Sequence, residues 1–367
     1  IYFDQYLFIS ITLLSVMGLF FLYSASQGDL NTIIKQSIFV CFGLTLMLIL
    51  SQPDPDFYKI FSNLFLLIAI SLMFATMIFG KEINGAKRWL NLGFFTLQTS
   101  ELIKIALPIF LASYLYNKPL PISLRHSLQT FLLICFIFYL VYSQPDLGTG
   151  LVVFMAGIYI LFLAGLSWKF ILTSFGLIIL SMPFIWNNFL EPFQRQRILT
   201  FINPSNDPYG SSWNITQSKI AIGSGGMSGK GYQDGSQASL NFLPEAETDF
   251  IFAVIAEELG FMGVLSILMV LGTLVFRALL IGQNALKNGK EYEGYLALAI
   301  GIWFAFQTMV NVGASAGILP TKGLTLPFIS YGGSSLLMMT IATGILLRVD
   351  FETKMATKQA TSGGAKR

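Results

Sequence analysis

Charge, cysteine and histidine are all scarce in this sequence. Of its 367 residues only 11% are charged, compared with about a quarter in a typical soluble domain, whereas 54% are hydrophobic and the mean hydropathy is +0.68. This composition excludes a soluble globular enzyme and a disordered or fibrous chain. The net charge of +3 is spread along the chain, so no nucleic-acid partner is expected. Cys41 and Cys135 lie inside apolar runs, which indicates small core residues rather than a disulfide or metal ligands.

Long apolar runs fill most of the chain and predict an all-α polytopic membrane protein with about ten transmembrane helices. Each run is close to the ~20 residues that cross a ~30 Å hydrocarbon core. The first run lacks the basic segment and the cleavage site of a signal peptide, so we expect it to remain as a helix. The predicted spans are residues 4–26, 32–50, 57–79, 98–116, 127–143, 147–166, 168–187, 250–277, 292–318 and 328–348.

Basic residues in the loops predict the orientation of these helices. Ten spans place both termini on one side, and with cytoplasmic termini most loop lysines and arginines lie inside, as the positive-inside rule requires. The single histidine, His126, then lies inside, so no histidine base or zinc centre is expected at the outer face. Residues 1–350 are predicted to form one integral membrane domain. Residues 351–367 are predicted to form a cytoplasmic tail that is disordered or that in part does not belong to the natural sequence.

Two segments that are predicted to lie outside are unusually large. The first covers about residues 80–97, and the second, residues 188–249, joins the seventh and eighth helices and is rich in Gly, Ser, Gln and Asn. Loops of this length are commonly functional or disordered, and aromatic residues such as Trp213 favour an ordered loop against the membrane. Chemistry is therefore expected at the outer face.

A glycine-rich run, residues 223–231, invites comparison with a phosphate-binding P-loop. It lacks both the leading glycine and the Ser or Thr that must follow the lysine, because Ser224 and Gly231 stand at those positions. The glycines are expected instead to allow tight turns in a loop that lies against a ligand or the membrane.

Ionisable side chains at membrane depth cost free energy and therefore mark candidate functional sites. Glu101 and Lys104 lie three residues apart on one face of the fourth helix, close enough to pair. They either lock two helices together or line a polar cavity that opens outward. Asp146 follows Pro145 between the fifth and sixth helices, where it either caps the next helix or serves the site.

The acidic residues that begin the eighth helix are the most informative feature. Residues 250–277 would form a helix about 42 Å long, which exceeds the ~30 Å core, so its first turns must rise into the outer interface. Asp249 is then predicted at the top of this helix, where the N-terminus favours a carboxylate, with Glu257 and Glu258 about two turns deeper. The alternative is that Thr248 or Asp249 merely caps the helix.

Polar motifs interrupt the apolar runs at Asn84–Trp89, Gln98–Lys104, Gln144–Thr149, Leu243–Gly260 and Pro327–Ser335. In this order they resemble the SEDS family, the polytopic polymerases of bacterial peptidoglycan, which have ten spans and a large outer loop before the eighth. The resemblance covers nearly the whole chain. Residues 317–327 and 347–353 are similar to the cell-division branch of that family rather than to its elongation branch.

The resemblance implies a peptidoglycan glycosyltransferase that polymerises lipid II into glycan strands at the outer face of the bacterial cytoplasmic membrane, at the division septum. A 4-hydroxyl of N-acetylglucosamine would attack the anomeric carbon of a lipid-linked N-acetylmuramic acid, with undecaprenyl pyrophosphate as the leaving group. The family's essential aspartate falls on Asp249, which would be the general base. No cofactor is implied, and whether a divalent cation assists the pyrophosphate stays open.

The resemblance also implies which residues bind the substrate. Arg88, Lys104 and Arg197 would lie near the pyrophosphate, because charge-assisted bonds to phosphate are strong. Trp89 would meet a sugar or the lipid, or would simply anchor the chain at the membrane interface. The other residues carried over as substrate-binding are Glu101, Asp146, Gln217 and Ser330.

One position departs from the family's pattern. Glu247 stands two residues before Asp249, where the family commonly has histidine. A nearby like charge disfavours an ionised carboxylate. Either that histidine is dispensable, or Glu247 points away from Asp249.

The family implies partners, and the sequence leaves rival functions. A single-span class B penicillin-binding protein would cross-link the new strand, and small single-span activators of the divisome would join it. A lipid II flippase is the main rival, since Glu101, Lys104 and Asp146 also suit a translocation path, although no inverted repeat is evident. Polymerisation in the elongation branch and a scaffold without catalysis are two further rival functions.

Overall fold

The part of the chain that the structure describes folds into a bundle of long helices with one small sheet. The computed structural model describes residues 4–83, 86–91, 93, 96–188, 190, 195, 199, 213–240, 242–320 and 323–364. The helices are α1 (Gln5–Ala25), α2 (Leu30–Leu50), α3 (Pro55–Ile60), α4 (Ser62–Phe79), α5 (Thr99–Leu115), α6 (Leu124–Tyr142), α7 (Leu147–Leu163), α8 (Trp168–Asn188), α9 (Trp213–Gly225), α10 (Ser236–Ser239), α11 (Ile251–Lys287), α12 (Glu291–Ser315) and α13 (Gly333–Gly364). The strands are β1 (Lys81–Ile83), β2 (Ala86–Asn91) and β3 (Thr96–Gln98).

Within the described residues, eight helices are long and apolar enough to cross a membrane, judged by length and composition: α1, α2, α4, α6, α8, α11, α12 and α13. The fourth and sixth predicted spans form α5 and α7, which have 17 residues each. The prediction of an all-α polytopic membrane protein is confirmed. Helix α13 runs on to Gly364, so the described part of the predicted tail is helical.

The first large segment, about residues 80–97, contains a small antiparallel sheet that the sequence did not predict. Strand β2 lies between β1 and β3, with Trp89 opposite Lys81 on one side and Gln98 on the other. The strands have three to six residues, too few to show the alternation on which a strand prediction depends. Because β3 continues directly into α5, the sheet is fixed to the N-terminal end of that helix.

The core lies around α12, which packs against α5, α7 and α11. Among its largest fully buried side chains are Trp303, Tyr292 and Tyr295. Large apolar side chains on α2, α4 and α8 instead face outward, as expected for helices whose surroundings are lipid.

Helix α11 is broken near its start. Gly260 has φ 65° and ψ −164°, a conformation open to glycine alone, so residues 251–259 form a separate short segment above the break. The prediction of one continuous helix over residues 250–277 is therefore wrong. A single glycine in an apolar run is usually tolerated in a helix, and nothing local in the sequence shows that this one takes a positive φ.

The glycine-rich run packs against this break. Its backbone and that of α11 exchange hydrogen bonds, which satisfy polar groups that a broken helix would leave bare at membrane depth. These bonds run from Lys230 N–H to Glu257 (3.0 Å), from Gly231 N–H to Glu258 (3.1 Å), from Phe261 N–H to Gly226 (2.9 Å) and from Met262 N–H to Met227 (3.2 Å). The glycines thus allow close packing against a helix, where the sequence suggested a ligand or the membrane.

Replacing Gly225 by alanine is expected to destabilise this contact. A Cβ at Gly225 would overlap the backbone carbonyl of Ala256 on α11, so the two helices must separate, and overpacking of this kind costs about 1–3 kcal/mol. The check is the midpoint of thermal unfolding in detergent.

Gly223→Ala is the matched control. Gly223 lies in the same helix and has open space where its Cβ would be, so alanine should leave the midpoint unchanged or raise it. Equal midpoints for the two variants would contradict the close packing of α9 on α11.

Candidate functional site

Asp249 lies in a turn that two other elements hold in place. The turn, residues 244–250, directly precedes α11, and Asp249 is half-buried within it. On α12, Asn311 Nδ2 and Ser315 Oγ donate to the backbone carbonyl of Asp249, at 3.0 and 3.5 Å. Ser330 Oγ donates to the carbonyl of Thr248 at 2.6 Å. The position of the Asp249 backbone is therefore set by α12 and by the loop that follows it.

The structure does not bear out the capping alternative for this turn. The N-cap residue of α11 is Phe250, and its side chain makes no capping hydrogen bond. The Thr248 hydroxyl donates instead to the Glu245 carboxylate at 2.9 Å. Asp249 thus stands at the start of α11, as predicted, without serving as its cap.

A small cleft of about 10 Å³ lies beside Asp249, between the turn, α12 and the loop after α12 (residues 323–332, the post-α12 loop). Val310, Asn311 and Ala314 line it from α12, and Gly323 and Leu324 line it from the loop. Gly323 has φ 65°, and a Cβ built there would lie 3.5 Å from Asp249 Oδ2, so the carboxylate faces the loop. The cleft therefore combines a carboxylate with a buried side-chain amide.

Glu101 and Lys104 form a buried ion pair. Lys104 Nζ lies 2.6 Å from Glu101 Oε2, and the side chains are 1% and 5% exposed. Lys104 Nζ also donates to Gln307 Oε1 at 3.2 Å and lies 5.1 Å from the centre of the Trp303 ring. Gln307 Nε2 in turn donates to the carbonyl of Thr325 at 2.9 Å. The pair joins α5 to α12 and the post-α12 loop, as the helix-locking alternative requires.

Asp146 caps α7, which was one of the two alternatives for this residue. Its Oδ1 accepts from the backbone N–H of Thr149 at 3.2 Å. Its Oδ2 accepts from Gln98 Nε2 at 2.8 Å and from Ser100 Oγ at 2.7 Å. These three donors offset the cost of burying a polar side chain.

Arg88 and Trp89 are neighbours on β2. Arg88 Nε donates to the carbonyl of Gln144 at 3.0 Å, and Arg88 Nη2 donates to the carbonyl of Pro145. Trp89 is half-buried and lies opposite Gln98 in the sheet. Arg88 therefore holds the turn that leads into Asp146.

The start of α13 connects the Asp146 cluster to the post-α12 loop. Ser334 Oγ accepts from the backbone N–H of Gln98 at 3.2 Å, and Ser335 Oγ lies 3.0 Å from Thr325 Oγ1. One hydrogen-bonded network therefore contains the predicted site residues Arg88, Glu101, Lys104, Asp146, Ser330 and Asp249.

Ser330 and Gln217 are buried, and Arg197 lies outside the described residues. Ser330 Oγ accepts from the N–H of Leu326 at 2.8 Å besides donating to Thr248, so this hydroxyl is used within the protein. Gln217 lies on α9, which packs against α11 and α12. A substrate-binding role for these three residues stays a prediction.

Sequence reasoning missed three neutral amides that hold the site together: Asn311, Gln307 and Gln36. Each is at most 2% exposed, and Gln36 on α2 donates to the carbonyl of Ser330 at 3.3 Å. The signal was present, because a polar side chain in an apolar span must find partners inside the bundle. A prediction based on charged residues alone does not detect these amides.

Glu257 and Glu258 tie the long loop and α1 to the first segment of α11. Glu257 Oε1 lies 2.6 Å from Lys230 Nζ and accepts from the backbone N–H of Ser236 at 2.9 Å. Glu258 Oε1 accepts from the Ser24 hydroxyl. Over the described residues, no three His, Cys, Asp or Glu side chains form a group that could hold a metal ion.

Glu247 lies close to other carboxylates. Burial raises the pKa of Glu247 above its ordinary value, and the negative charges of Asp29 and Glu245 raise it further. Its backbone carbonyl accepts from the N–H of Tyr331 at 2.9 Å, so the residue belongs to the same braced turn as Asp249.

The raised pKa of Glu247 predicts a pH-dependent stability. The folded protein binds the proton of the Glu247 carboxyl more tightly than the unfolded chain does. The stability that comes from this proton is therefore complete below the ordinary pKa of 4.5 and is lost as the pH rises through the raised pKa of the folded state. Glu247→Gln should therefore unfold at a higher temperature than wild type at pH 7.5, with the difference vanishing near pH 4. Glu82→Gln, at an exposed position on β1, is the control for the loss of one negative charge and should unfold at the temperature of wild type at pH 7.5.

Comparison with known proteins shows extensive similarity. A family model described as "Cell cycle protein", which covers FtsW, RodA and SpoVE, matches residues 4–355. The chain is 54% identical over 340 residues to the probable peptidoglycan glycosyltransferase FtsW of Pseudoalteromonas translucida, which covers 91% of this chain and 84% of that protein. It is 41% identical over 343 residues to the probable peptidoglycan glycosyltransferase FtsW of Escherichia coli O157:H7. This alignment covers 90% of this chain and 80% of that protein.

Solved structures are also similar. One belongs to a peptidoglycan synthase complex described as coordinating polymerization and crosslinking, with a TM-score of 0.83, 29% identity and 96% and 98% of the two chains covered. The structure of the rod shape determining protein RodA of Thermus thermophilus has a TM-score of 0.72 and 27% sequence identity. The match covers 95% of this chain and 97% of that chain.

Proposed function

The chain belongs to the SEDS family of cell-cycle proteins and, within it, to the FtsW branch, and we propose that Asp249 is the general base with which it polymerises lipid II. It is a multi-pass membrane protein and a peptidoglycan glycosyltransferase of cell division. The proposed place of the reaction is the outer face of the bacterial cytoplasmic membrane at the division septum, with both termini in the cytoplasm.

The proposed reaction transfers a glycan from a lipid carrier to a sugar hydroxyl. The 4-hydroxyl oxygen of an N-acetylglucosamine attacks the anomeric carbon of a lipid-linked N-acetylmuramic acid. The new C–O bond forms as the bond to the pyrophosphate oxygen breaks, and undecaprenyl pyrophosphate leaves. Asp249 takes the hydroxyl proton, a contribution that is typically worth about 10²–10⁴-fold. A pyrophosphate is already a good leaving group and needs charge stabilisation more than a proton.

The observation that carries this proposal is the bracing of the Asp249 turn. Asn311 and Ser315 hold the carbonyl of Asp249 itself, and Ser330 holds the preceding carbonyl, from two separate elements. Asp249 is not the N-cap residue of α11, because that residue is Phe250. A base held in a fixed position loses little free energy to reorganisation when the substrate arrives.

Arg88 and Lys104 are the proposed contacts of the pyrophosphate within the described residues. Two of the five N–H donors of the Arg88 guanidinium serve the turn before Asp146, so an anion can still be bound in a fork by the same group. Lys104 is neutralised by Glu101 and is the less exposed of the two cations. The other proposed substrate contacts are Arg197, Trp89, Gln217, Ser330, Glu101 and Asp146.

The similarity to a synthase complex supports a proposed protein partner. A class B penicillin-binding protein that cross-links the new strand would bind this chain, as would small single-span activators of the divisome. Lipid II is the proposed substrate. The flippase alternative is not favoured, because the relatives are named as glycosyltransferases. Polymerisation in the elongation branch is not favoured either, since relatives that are 40–54% identical to this chain are named FtsW.

Polymerisation of lipid II by the purified protein tests the proposed function. Wild-type protein in detergent micelles should convert lipid II to glycan strands that separate on a gel, and Asp249→Asn should not. Lipid II scrambling in vesicles without strand formation would support the flippase instead.

A further inference from the structure

A pocket much larger than the cleft beside Asp249 lies at the opposite end of the bundle. It has a volume of about 660 Å³ and is lined by α3, the segment after α5 and the start of α12. On α12, Asn311 beside Asp249 follows Tyr292 in this pocket by 19 positions, a rise of about 28 Å. This rise is close to the ~30 Å of a hydrocarbon core. The pocket therefore lies at the height of the headgroup layer opposite that of Asp249.

Charged side chains of both signs line this pocket. Lys59, Lys118 and Lys290 supply the positive charges. Glu291 and Glu293 supply the negative charges, and both stand in the first turn of α12, where the helix dipole favours carboxylates. All five residues are half-buried. The pocket therefore offers partners to an anion and to a cation.

These charges are only in part neutralised within the protein. Lys59 pairs with Asp56, and Lys290 Nζ lies 3.5 Å from a carboxylate oxygen of Glu352. Over the described residues, neither Lys118 nor the two glutamates at the start of α12 form an ion pair. Opposite charges that line one pocket without meeting fit a ligand that carries both signs.

The aromatic rings of the pocket determine which cation fits. Lys59 Nζ lies 5.1 Å from the centre of the Tyr116 ring and 5.8 Å from that of the Tyr292 ring. Aromatic faces are the usual partners of quaternary ammonium groups, and here the ammonium of Lys59 already lies on them. The carboxylates favour a cation that donates hydrogen bonds, because such bonds are charge-assisted. A primary ammonium is therefore favoured over a quaternary one.

Exposed apolar side chains adjoin the residues that line the pocket. Ile60 directly follows Lys59 and is 71% exposed. Leu120 directly follows Pro119 and is 53% exposed. At the edge of the hydrocarbon core, contact with acyl chains removes such side chains from water. A lipid uses this surface, and a water-soluble ligand does not.

We propose that this pocket binds the headgroup of a phospholipid that carries a phosphate and a primary ammonium, as phosphatidylethanolamine does. Lys118 binds the phosphate. Its Nζ lies 5.2 Å from the centre of the Tyr114 ring, a contact that holds the side chain without neutralising its charge. Glu291 and Glu293 bind the ammonium. The acyl chains lie against Ile60 and its apolar neighbours.

Native mass spectrometry of the purified protein measures the apparent Kd of each lipid. Wild type should bind phosphatidylethanolamine on the order of tenfold more tightly than two other lipids. These are phosphatidylcholine, whose quaternary ammonium donates no hydrogen bond, and phosphatidylglycerol, which has no ammonium. Glu291→Gln combined with Glu293→Gln should abolish this preference and strengthen the binding of phosphatidylglycerol, because repulsion of its phosphate is lost. Lys118→Met should weaken the binding of all three lipids.

Lys169→Met is the control. Lys169 is an exposed lysine at the start of α8 and does not line the pocket, so this variant should bind the three lipids as wild type does. Soluble phosphoethanolamine has the same charged groups without acyl chains. It should bind on the order of a hundredfold more weakly than the lipid.

Three results would overturn the inference. Equal binding of the three lipids by wild type, which needs no variant, would favour a protein segment as the occupant of the pocket. Equal affinity for soluble phosphoethanolamine and the lipid would exclude the lipid as the source of these groups. The third is an unchanged preference for phosphatidylethanolamine in a folded double glutamine variant.

Discussion

Asp249→Asn is expected to lower the polymerisation of lipid II by at least about a hundredfold, because an amide cannot take the proton of the attacking hydroxyl. The fold should survive the change. The three bonds that brace the turn use the backbone carbonyls of Asp249 and its neighbour Thr248, and asparagine leaves these carbonyls in place. The rate of strand formation by purified protein, with the unfolding midpoint measured in parallel, checks both statements.

Glu245→Gln is the control for this prediction. Glu245 is an exposed carboxylate in the same turn, and glutamine can still accept the bond from the Thr248 hydroxyl. Its rate should stay near that of wild type, which would show that loss of one negative charge from the turn is harmless. Full polymerisation by Asp249→Asn would remove Asp249 as the base. Strands from neither wild type nor variant, with lipid II scrambling in both, would favour transport.

Most of the membrane architecture could be predicted from the sequence, because hydropathy and span length act locally. Helix α13 illustrates this: its apolar run begins within a few residues of the observed start. The break at Gly260 could not be predicted in this way. Its positive φ depends on the glycine-rich run that supplies backbone partners from some thirty residues earlier in the chain. Long-range backbone pairing of this kind leaves no pattern in either segment alone.

The candidate site was predictable as far as its residues carry charge. Asp146, Glu101 and Lys104 stood out because ionisable groups are rare in apolar runs, and the structure places them in one network. Asn311 and Gln307 were missed, although their side chains join helix, turn and loop. A neutral amide has a weaker signal, and its partners here are backbone carbonyls, which every residue has.

The post-α12 loop is where these separate observations meet. Thr325 accepts from Gln307, which binds Lys104, and Leu324 accepts from Asn311, which binds the Asp249 backbone. A disturbance of the buried pair on α5 can therefore reach the base through two side-chain amides and one loop. This connection gives Glu101 and Lys104 an effect on activity that does not require them to touch the substrate.

Glu101→Gln and Lys104→Met are each expected to lower both stability and polymerisation, and the double variant should lose less than the sum of the two. Removal of one partner leaves the other as an uncompensated buried charge, which costs about 3–5 kcal/mol, whereas removal of both leaves none. A double-mutant cycle on the unfolding midpoint and on the initial rate measures the coupling.

Asp56 and Lys59 provide the matched control for that cycle. They form an ion pair with the same three-residue spacing on α3, but their side chains are 70% and 27% exposed, and solvent screens such a pair. The coupling for Asp56→Asn with Lys59→Met should therefore be small, about 0–1 kcal/mol, with polymerisation unchanged. Strict additivity for Glu101 and Lys104 would mean that the two do not act as a pair. A coupling in stability without one in rate would mean that the pair supports the fold and not the base.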